Sequence, residues 1–276
     1  MTKSTLDAWF SANRAAILAD YFTLLRFPSI GGDPAHLSDC VACADWICAF
    51  LRPLGFTAEL VRGDGSKPPL VLAERPADAS GRTVLLYGHY DVQPVDPVEL
   101  WETQPFDPTE REGRVYARGA QDDKGQWFAL LQGLRAAIES GEKLPAIRIV
   151  LEGQEESGSG FLAEQALDLR RRLAADVLLV ADTGKDASGR PAIVAGLRGV
   201  IHFTVTLRGP KYDLHSGQHG GLAPNPAQGI AELVASLHNP DGSIAVKGFC
   251  DGIVNPTEAE FALATERGFD ENAYKE

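Results

Sequence analysis

Three apolar segments of the sequence are each followed by side chains that can bind a metal ion or move a proton. These side chains come within a few residues of the segments: His89 and Asp91 after 84–88, Glu155 and Glu156 after 147–151, and Asp182 after 177–181. In open α/β sheets, ligands bind beyond the carboxyl ends of the parallel strands. If the three segments are neighbouring parallel strands, all five side chains converge on one crevice.

A fourth group of candidates lies in the glycine-rich loop RGAQDDKG, which contains Asp122 and Asp123 and precedes a helical pattern that begins at Lys124. These two carboxylates either project into the same crevice or cap the helix. Simpler interpretations also exist for the others, because adjacent glutamates are often a solvated pair and Asp182 can belong to an ordinary turn. Four such groups at the ends of core elements together favour a functional site.

The residue types indicate divalent metal chemistry. Imidazole and carboxylate groups suit zinc, manganese and cobalt, and the lack of thiolates argues against a structural zinc site. Carboxylates held close together raise one another's pKa values unless cations lie among them. One carboxylate can bridge two metal ions, and such paired ions activate a shared water molecule. In the Glu155–Glu156 pair, one side chain can therefore bind metal while the other acts as a base.

Motifs of other enzyme classes are missing from the sequence, which has no GxSxG, GxxxxGK[ST] or HExxH motif and no GxGxxG after a strand. His215 and His219 have the i, i+4 spacing of a helical metal pair. However, Gly217 and the Gly220–Gly221 pair argue against a helix there. We therefore predict two solvent-facing loop histidines from this pattern.

Composition narrows the choice of partners. The 276 residues include 38 acidic and 26 basic side chains, for a formal net charge of −12, and an acidic surface disfavours nucleic acid. No stretch approaches the roughly 18 apolar residues of a membrane helix. The N-terminal segment also lacks the apolar core and cleavage site of a signal peptide. We therefore expect a cytoplasmic protein with neither a nucleic-acid nor a membrane partner.

The cysteines do not form a recognisable metal motif. Cys40 and Cys43 have the spacing of a zinc or redox pair, but no second pair or nearby histidine completes a tetrahedral site. Together with Cys48 they lie in a helical pattern with an apolar face, where cysteine acts as a small hydrophobe. We predict buried structural thiols.

Apolar strands alternate with amphipathic helices along the first two thirds of the chain, which is typical of an α/β layered domain. The predicted helices cover 6–25, 38–51, 124–140 and 161–173, and the predicted strands cover 57–61, 69–74, 83–91, 113–119, 146–153 and 176–182. After Gly196 the pattern changes. Residues 199–209 alternate with period two, as in a half-solvated strand, and 224–240 predict one helix. We therefore predict two domains, 1–196 and 197–276.

Five segments occur in a recognisable order: GHYDVQP (88–94), GRVYARGAQDDKG (113–125), LEGQEESGS (151–159), LLVADTG (178–184) and GPKYDLHSGQHGG (209–221). Together they resemble metallopeptidase family twenty, the carnosinase, acetylornithine-deacetylase and succinyl-diaminopimelate-desuccinylase type of di-zinc hydrolase. DVQP, DDKG and DLHSG resemble the dipeptidase branch most. The resemblance implies a zinc-peptidase-like catalytic domain, with a mostly parallel sheet flanked by helices, over 1–196. It also implies the start of an α+β lid and dimerisation domain over 197–276.

The resemblance also implies a set of metal ligands. His89 and Asp182 would bind one metal ion and Glu156 the other, while Asp122 would bridge both. The peptide bond after Asp122 would be cis. The cofactors would be two divalent ions, zinc in the first place, with manganese or cobalt as alternatives.

Three catalytic roles follow from the same resemblance. Asp91 would orient the metal-binding histidine. Glu155 would be the general base and then the proton donor to the leaving amine. His215 would reach across a homodimer, formed through the lid, to stabilise the oxyanion in the other subunit's active site.

One feature of the family is missing from this sequence. In the family the lid is inserted into the catalytic domain, and the returning chain carries the last histidine ligand. Nothing after residue 250 resembles that half, so we expect the N-terminal portion of such an enzyme with an incomplete catalytic domain. The main hypothesis is hydrolysis of dipeptides or short peptides. The alternatives are an N-acyl-amino-acid deacylase with the same site and an inactive truncated fragment.

Overall fold

The structure is a computed structural model that describes residues 2–79, 81–183, 193–194, 197 and 199–266. The chain divides into two compact units, Met1–Gly196 and Leu197–Glu276. Their interpretation as catalytic and lid domains stays a prediction. Gly184, the last residue of the LLVADTG segment, lies outside the described residues.

The first unit contains the α/β part of the chain. Its described helices are α1 (Lys3–Leu25), α2 (Leu37–Leu51), α3 (Lys124–Glu139) and α4 (Gly160–Leu169). Its described strands are β1 (Thr57–Val61), β2 (Leu70–Arg75), β3 (Thr83–His89), β4 (Thr109–Arg111), β5 (Arg114–Tyr116), β6 (Ala146–Glu152) and β7 (Val177–Val180). Short 3₁₀ helices cover Pro34–His36, Arg52–Leu54, Val98–Leu100 and Glu155–Ser157. The predicted helices and strands of this unit are confirmed, apart from shifts at their ends.

Five strands form one sheet in the order β1-β2-β6-β3-β7. β3 pairs in parallel with β6 and β7, whereas β2 pairs antiparallel with both β6 and β1. Four strands thus run in one direction and β2 in the other, which confirms the mostly parallel sheet. The register pairs Tyr87 with Val150 and Val180, and His89 with Glu152. The ends of the three strands that precede the predicted site therefore lie side by side.

Helices cover both faces of this sheet. Successive side chains of a strand point to opposite faces. Leu86 and Ile149 pack in a core with residues of α1, α2 and α3, whereas their neighbours Leu85 and Val150 pack against Phe161 of α4. Full burial of one such side chain stabilises the fold by about 1.5–3 kcal/mol. This two-sided packing holds the strand ends in place.

The thiols of α2 belong to the core that contains Leu86 and Ile149. Cys40, Cys43 and Cys48 are buried there, whereas Cys250 is exposed. The prediction of buried structural thiols in the 40–48 segment is confirmed.

The second unit contains α5 (Ser216–His219), α6 (Pro226–Ala235) and α7 (Glu258–Glu266). α6 confirms the predicted helix, and it begins where the Asn225 side chain accepts a hydrogen bond from the backbone N–H of Ala227. Among the described helices, none combines the length and the apolar composition that a membrane span requires.

Two local predictions for this unit are wrong. Residues 199–209 are exposed and form no strand, because a period-two pattern makes a strand only beside a pairing neighbour, and no described strand pairs with it. His219 lies in a helical turn, not in a loop. The turn forms despite its glycines because the Nδ1 atom of His215 caps it, accepting a hydrogen bond from the backbone N–H of Gly217 at 3.0 Å.

Candidate metal centre

His89 is the last residue of β3 and is fully buried. Its Nδ1 lies 3.0 Å from the carbonyl oxygen of Asp91, which can only accept, so Nδ1 carries a proton and donates it. Its backbone is fixed on both sides, because Trp127 donates to its carbonyl oxygen at 2.9 Å and Asp123 accepts from its N–H at 3.0 Å. The ring therefore presents Nε2 as the atom available to a metal ion.

Three of the predicted metal ligands come together beyond the strand ends. One ligand atom from each of His89, Asp122 and Asp182 lies within 4.8 Å of the other two. The distance from the histidine Nε2 is 3.1 Å to Oδ1 of Asp122 and 3.8 Å to Oδ2 of Asp182. Zinc binds nitrogen and oxygen ligands at about 2.0–2.2 Å, so two ligands of one ion lie roughly 3–4 Å apart. The three side chains therefore fit the ligand set of one divalent cation.

The charges around His89 favour a cation at this position. Burial by itself lowers the pKa of His89, but the hydrogen bond and charge of Asp91, with the carboxylates of Asp123 and Glu155, outweigh burial and raise it to about 10. In the absence of a cation, this environment favours a second proton on the ring, at Nε2. Binding of a divalent cation at Nε2 would displace that proton.

Asp91 contacts both His89 and the segment that contains Glu155 and Glu156. Its side chain is fully buried, and its two carboxylate oxygens each accept a backbone hydrogen bond at 3.2 Å, Oδ1 from Glu155 and Oδ2 from Glu156. Its Oδ1 also lies 3.4 Å from Nδ1 of His89. Asp91 thus touches the histidine, as the sequence predicts, and also the segment that carries the two glutamates.

Glu155 lies in the 3₁₀ turn that follows β6. Its Oε2 is 3.9 Å from Nε2 of His89, on the side of the ring that faces the cluster. Burial raises the pKa of Glu155; the His89 imidazole acts against this, and the carboxylates of Asp182 and Glu156 add to it. A carboxylate with a raised pKa beside a candidate cation site has the properties of a general base.

Glu156 takes a different position. Its Oε2 accepts a hydrogen bond from Nε2 of Gln93 at 2.7 Å, and the described group of mutually close ligand atoms does not include it. Its role as a metal ligand stays a prediction.

Asp123 is bonded to the backbone of His89 through its carboxylate. The peptide bond between Asp122 and Asp123 is cis, as the family resemblance implies. The Asp123 side chain does not cap α3; its Oδ2 accepts the His89 N–H, and its Oδ1 has no partner within the described part of the chain. Burial raises the pKa of Asp123 to about 7. The capping alternative is therefore wrong for this residue, because its carboxylate turns towards β3.

A buried glutamate next to the site has no counterpart in the sequence predictions. Glu152, the last residue of β6, is fully buried, and its Oε1 accepts hydrogen bonds from Tyr87 at 2.6 Å and Ser159 at 2.9 Å. Ser159 follows the turn that contains Glu155, so this carboxylate braces the turn. The sequence signal that could have found it is its position directly after the apolar segment 147–151, equivalent to that of His89 after 84–88.

His215 lies in the second unit and is exposed at the start of α5. Its predicted role in stabilising an oxyanion stays a prediction.

Comparison with known proteins identifies the family. A family model described as Peptidase family M20/M25/M40 matches residues 85–264, a range that includes every site residue predicted from the sequence. Cys-Gly metallodipeptidase dug1 of Schizosaccharomyces pombe is 34% identical over 251 residues, which is 87% of this chain and 53% of that protein. Beta-Ala-His dipeptidase of Homo sapiens is 37% identical over 196 residues, 70% of this chain and 39% of that protein. The chain thus spans about half the length, or less, of these curated relatives.

Solved structures share the fold. A M20 family metallo-carboxypeptidase, Sso-CP2 from Sulfolobus solfataricus, superposes with a TM-score of 0.77 at 31% identity, covering 94% of this chain and 58% of that one. Human carnosine dipeptidase 1 superposes with a TM-score of 0.72 at 26% identity, covering 99% of this chain and 60% of that one. These matches confirm both the predicted fold class and the resemblance carried by the five motifs. The chain belongs to peptidase family M20/M25/M40.

Proposed function

We propose that this chain carries the metal site of a hydrolase that cleaves the amide bond of dipeptides or short peptides. The observation behind the proposal is the grouping of ligand atoms from His89, Asp122 and Asp182 within 4.8 Å, with the Glu155 carboxylate 3.9 Å from the same imidazole. Metal-assisted hydrolysis needs such a cation site beside a proton-accepting carboxylate.

The proposed cofactors are two divalent cations. His89 and Asp182 would hold one, Glu156 the other, and Asp122 both. Zinc is the first choice, and manganese and cobalt also accept imidazole and carboxylate ligands. When bound, the cations lower the pKa of a water molecule and polarise the carbonyl group of the substrate. Oε2 of Glu156 accepts a hydrogen bond from the Gln93 amide, so Oε1 is the oxygen that Glu156 would offer to a cation.

Glu155 handles the proton in the proposed reaction. Its carboxylate accepts a proton from the attacking water and then donates it to the nitrogen of the leaving amine. Its raised pKa supports this role, because a carboxyl group whose pKa lies closer to neutral pH can both accept and donate a proton. Asp91 keeps this base at a fixed distance from His89, because it bonds to both residues.

Dipeptides are the favoured substrates. The two sequence relatives are named as dipeptidases, one for Cys-Gly and one for Beta-Ala-His. An N-acyl-amino-acid deacylase would use the same metal site, so the substrate class must be tested directly. The homodimer through the lid, the role of His215 within it and a cytoplasmic location are further proposals that rest on the sequence.

The test is a metal titration combined with a substrate panel. Protein stripped of metal is titrated with zinc by calorimetry and assayed on Cys-Gly, β-Ala-His and the N-acetyl and N-succinyl amino acids. We expect dipeptide hydrolysis that chelator abolishes and zinc restores. Asp122→Asn should remove both zinc binding and hydrolysis, whereas Asp168→Asn, an exposed change on α4, should leave both intact.

Three results would contradict the proposal. Zinc binding without cleavage of any substrate would favour the inactive fragment. Cleavage of the N-acyl amino acids alone would favour the deacylase. A protein that binds no zinc would rule out the metal site itself.

A further inference from the structure

Two side chains tie the loop that carries Asp122 to the C-terminal part of α1. Tyr21, in α1, donates a hydrogen bond from its hydroxyl group to the carbonyl oxygen of Ala120. Lys124, the first residue of α3, donates from Nζ to the carbonyl oxygens of Leu24 at 3.3 Å and Phe27 at 2.8 Å. The loop between β5 and α3 is thus attached to α1 both before and after Asp122.

Lys124 is an unusual residue to find in this position, because it is fully buried. An ammonium group removed from water is strongly unfavourable unless hydrogen bonds compensate for the lost hydration. Here the compensation comes from backbone carbonyl groups at the end of α1 and just after it. The proposed reaction makes no use of this buried amino group, so its position needs another explanation.

The segment that receives the lysine also holds the chain around Asp91. Two residues after Phe27, the Ser29 hydroxyl donates to the carbonyl oxygen of Tyr90 at 2.7 Å. The carbonyl oxygen of Ser29 accepts the backbone N–H of Val92 at 3.0 Å. Residues on either side of Asp91 are therefore bonded to the segment that the lysine anchors.

We infer that Lys124 and Tyr21 are positioning residues for the metal site. Their hydrogen bonds hold the Asp122 loop against the end of α1. Because the segment after α1 is bonded to the residues on either side of Asp91, the same contacts fix the position of the loop relative to Asp91 and His89. The metal affinity of the site should therefore depend on two side chains that are not metal ligands themselves. This inference rests on the proposed metal-dependent function.

The experiment compares two variants with a matched control. Lys124→Met removes the donor but keeps an unbranched stem of similar length. Tyr21→Phe removes only the hydroxyl and keeps the ring stacked on Phe128, where the ring centroids are 5.4 Å apart. Leu131→Ala is the control, because Leu131 is fully buried further along α3 and its side chain has no group that can form a hydrogen bond.

The readouts are zinc affinity by calorimetry, the visible absorption spectrum of the cobalt-loaded protein, and the unfolding temperature of the metal-free protein. Lys124→Met should weaken zinc binding by about 10- to 100-fold, as is typical when support of a ligand is lost. Tyr21→Phe should weaken it about two- to tenfold, the effect of one hydrogen bond. Both should alter the cobalt spectrum. Leu131→Ala should lower the unfolding temperature but leave zinc affinity and the cobalt spectrum unchanged.

Unchanged zinc affinity in both variants, or an equal loss in Leu131→Ala, would overturn the inference. If Lys124→Met does not fold, Tyr21→Phe decides the question with the same readouts. Failure of the unaltered protein to bind zinc would contradict the proposed function. Zinc binding that neither variant changes would contradict this inference alone.

Discussion

The carboxylate of Asp91 accepts a hydrogen bond from the backbone N–H of Glu155 at 3.2 Å. The carbonyl oxygen of the same aspartate accepts from Nδ1 of His89 at 3.0 Å. One fully buried residue thus sets the distance between the candidate metal ligand and the candidate base. This contact goes beyond the orientation of the histidine that the sequence predicts.

Asp91→Asn should therefore damage both sides of the site. The change keeps the shape of the side chain but replaces one acceptor oxygen with an NH₂ group that cannot accept from a backbone N–H. We expect zinc affinity to fall by about 10- to 100-fold, measured by calorimetry. Asp168→Asn serves as the control for loss of one surface charge. Equal zinc affinity in the two variants would contradict a coupling role for Asp91.

Glu155→Gln should separate catalysis from metal binding. The amide has nearly the same shape as the carboxylate but cannot accept a proton from water. We expect kcat for dipeptide hydrolysis to fall at least ~10²-fold, the contribution of a general base, while zinc affinity stays close to that of the unaltered protein. Near-normal turnover with metal bound would remove Glu155 from this role. Glu99→Gln, at an exposed position, controls for the charge change.

The arrangement of the strands could be predicted from the sequence because it follows from patterns of residue type. Apolar segments with polar side chains at their carboxyl ends predict parallel neighbours, and the pairing of β3 with β6 and β7 confirms this. The same reasoning brought together His89 and Asp182, and the family resemblance added Asp122; the structure places ligand atoms of all three within 4.8 Å of one another. Strand order, with β6 between β2 and β3, does not follow from these local patterns.

The supporting contacts of the site could not be predicted, because they join side chains to backbone groups. The His89 N–H donates to Asp123 and Lys124 donates to the Phe27 carbonyl. Both hydrogen bonds depend on distance in space, and every residue type except proline has both backbone groups. Charged residues such as Lys124 and Glu152 normally indicate surface, yet both are fully buried. The strand predicted at 199–209 is wrong for a related reason, because the alternation of apolar and polar residues does not specify a pairing neighbour.

Substitution of two glycines by alanine should have opposite effects on stability. A Cβ atom at Gly88 would lie 2.7 Å from Oδ2 of Asp123 and 3.0 Å from Cδ1 of Trp127, whereas a Cβ at Gly133, inside α3, meets no described atom within 4 Å. Gly88→Ala should lower the free energy of unfolding by about 1–3 kcal/mol because it overpacks the site. Gly133→Ala should raise that free energy by about 0.5–1 kcal/mol. Denaturant unfolding of the metal-free protein measures both, and a stabilising Gly88→Ala would refute the close packing.

The thiol of Cys40 should make stability fall at alkaline pH. Burial, with smaller contributions from Cys43 and the Asp91 charge, raises the pKa of Cys40 from 9.0 to about 12. Because the pKa is higher in the folded than in the unfolded state, this stabilisation is complete below pH 9 and is lost as pH rises towards 12. The free energy of unfolding should fall there by up to about 1.4 kcal/mol per pH unit from this group. Cys40→Ala, which lacks the titrating thiol, should show a shallower fall in denaturant titrations, and equal slopes in the two proteins would contradict the assignment.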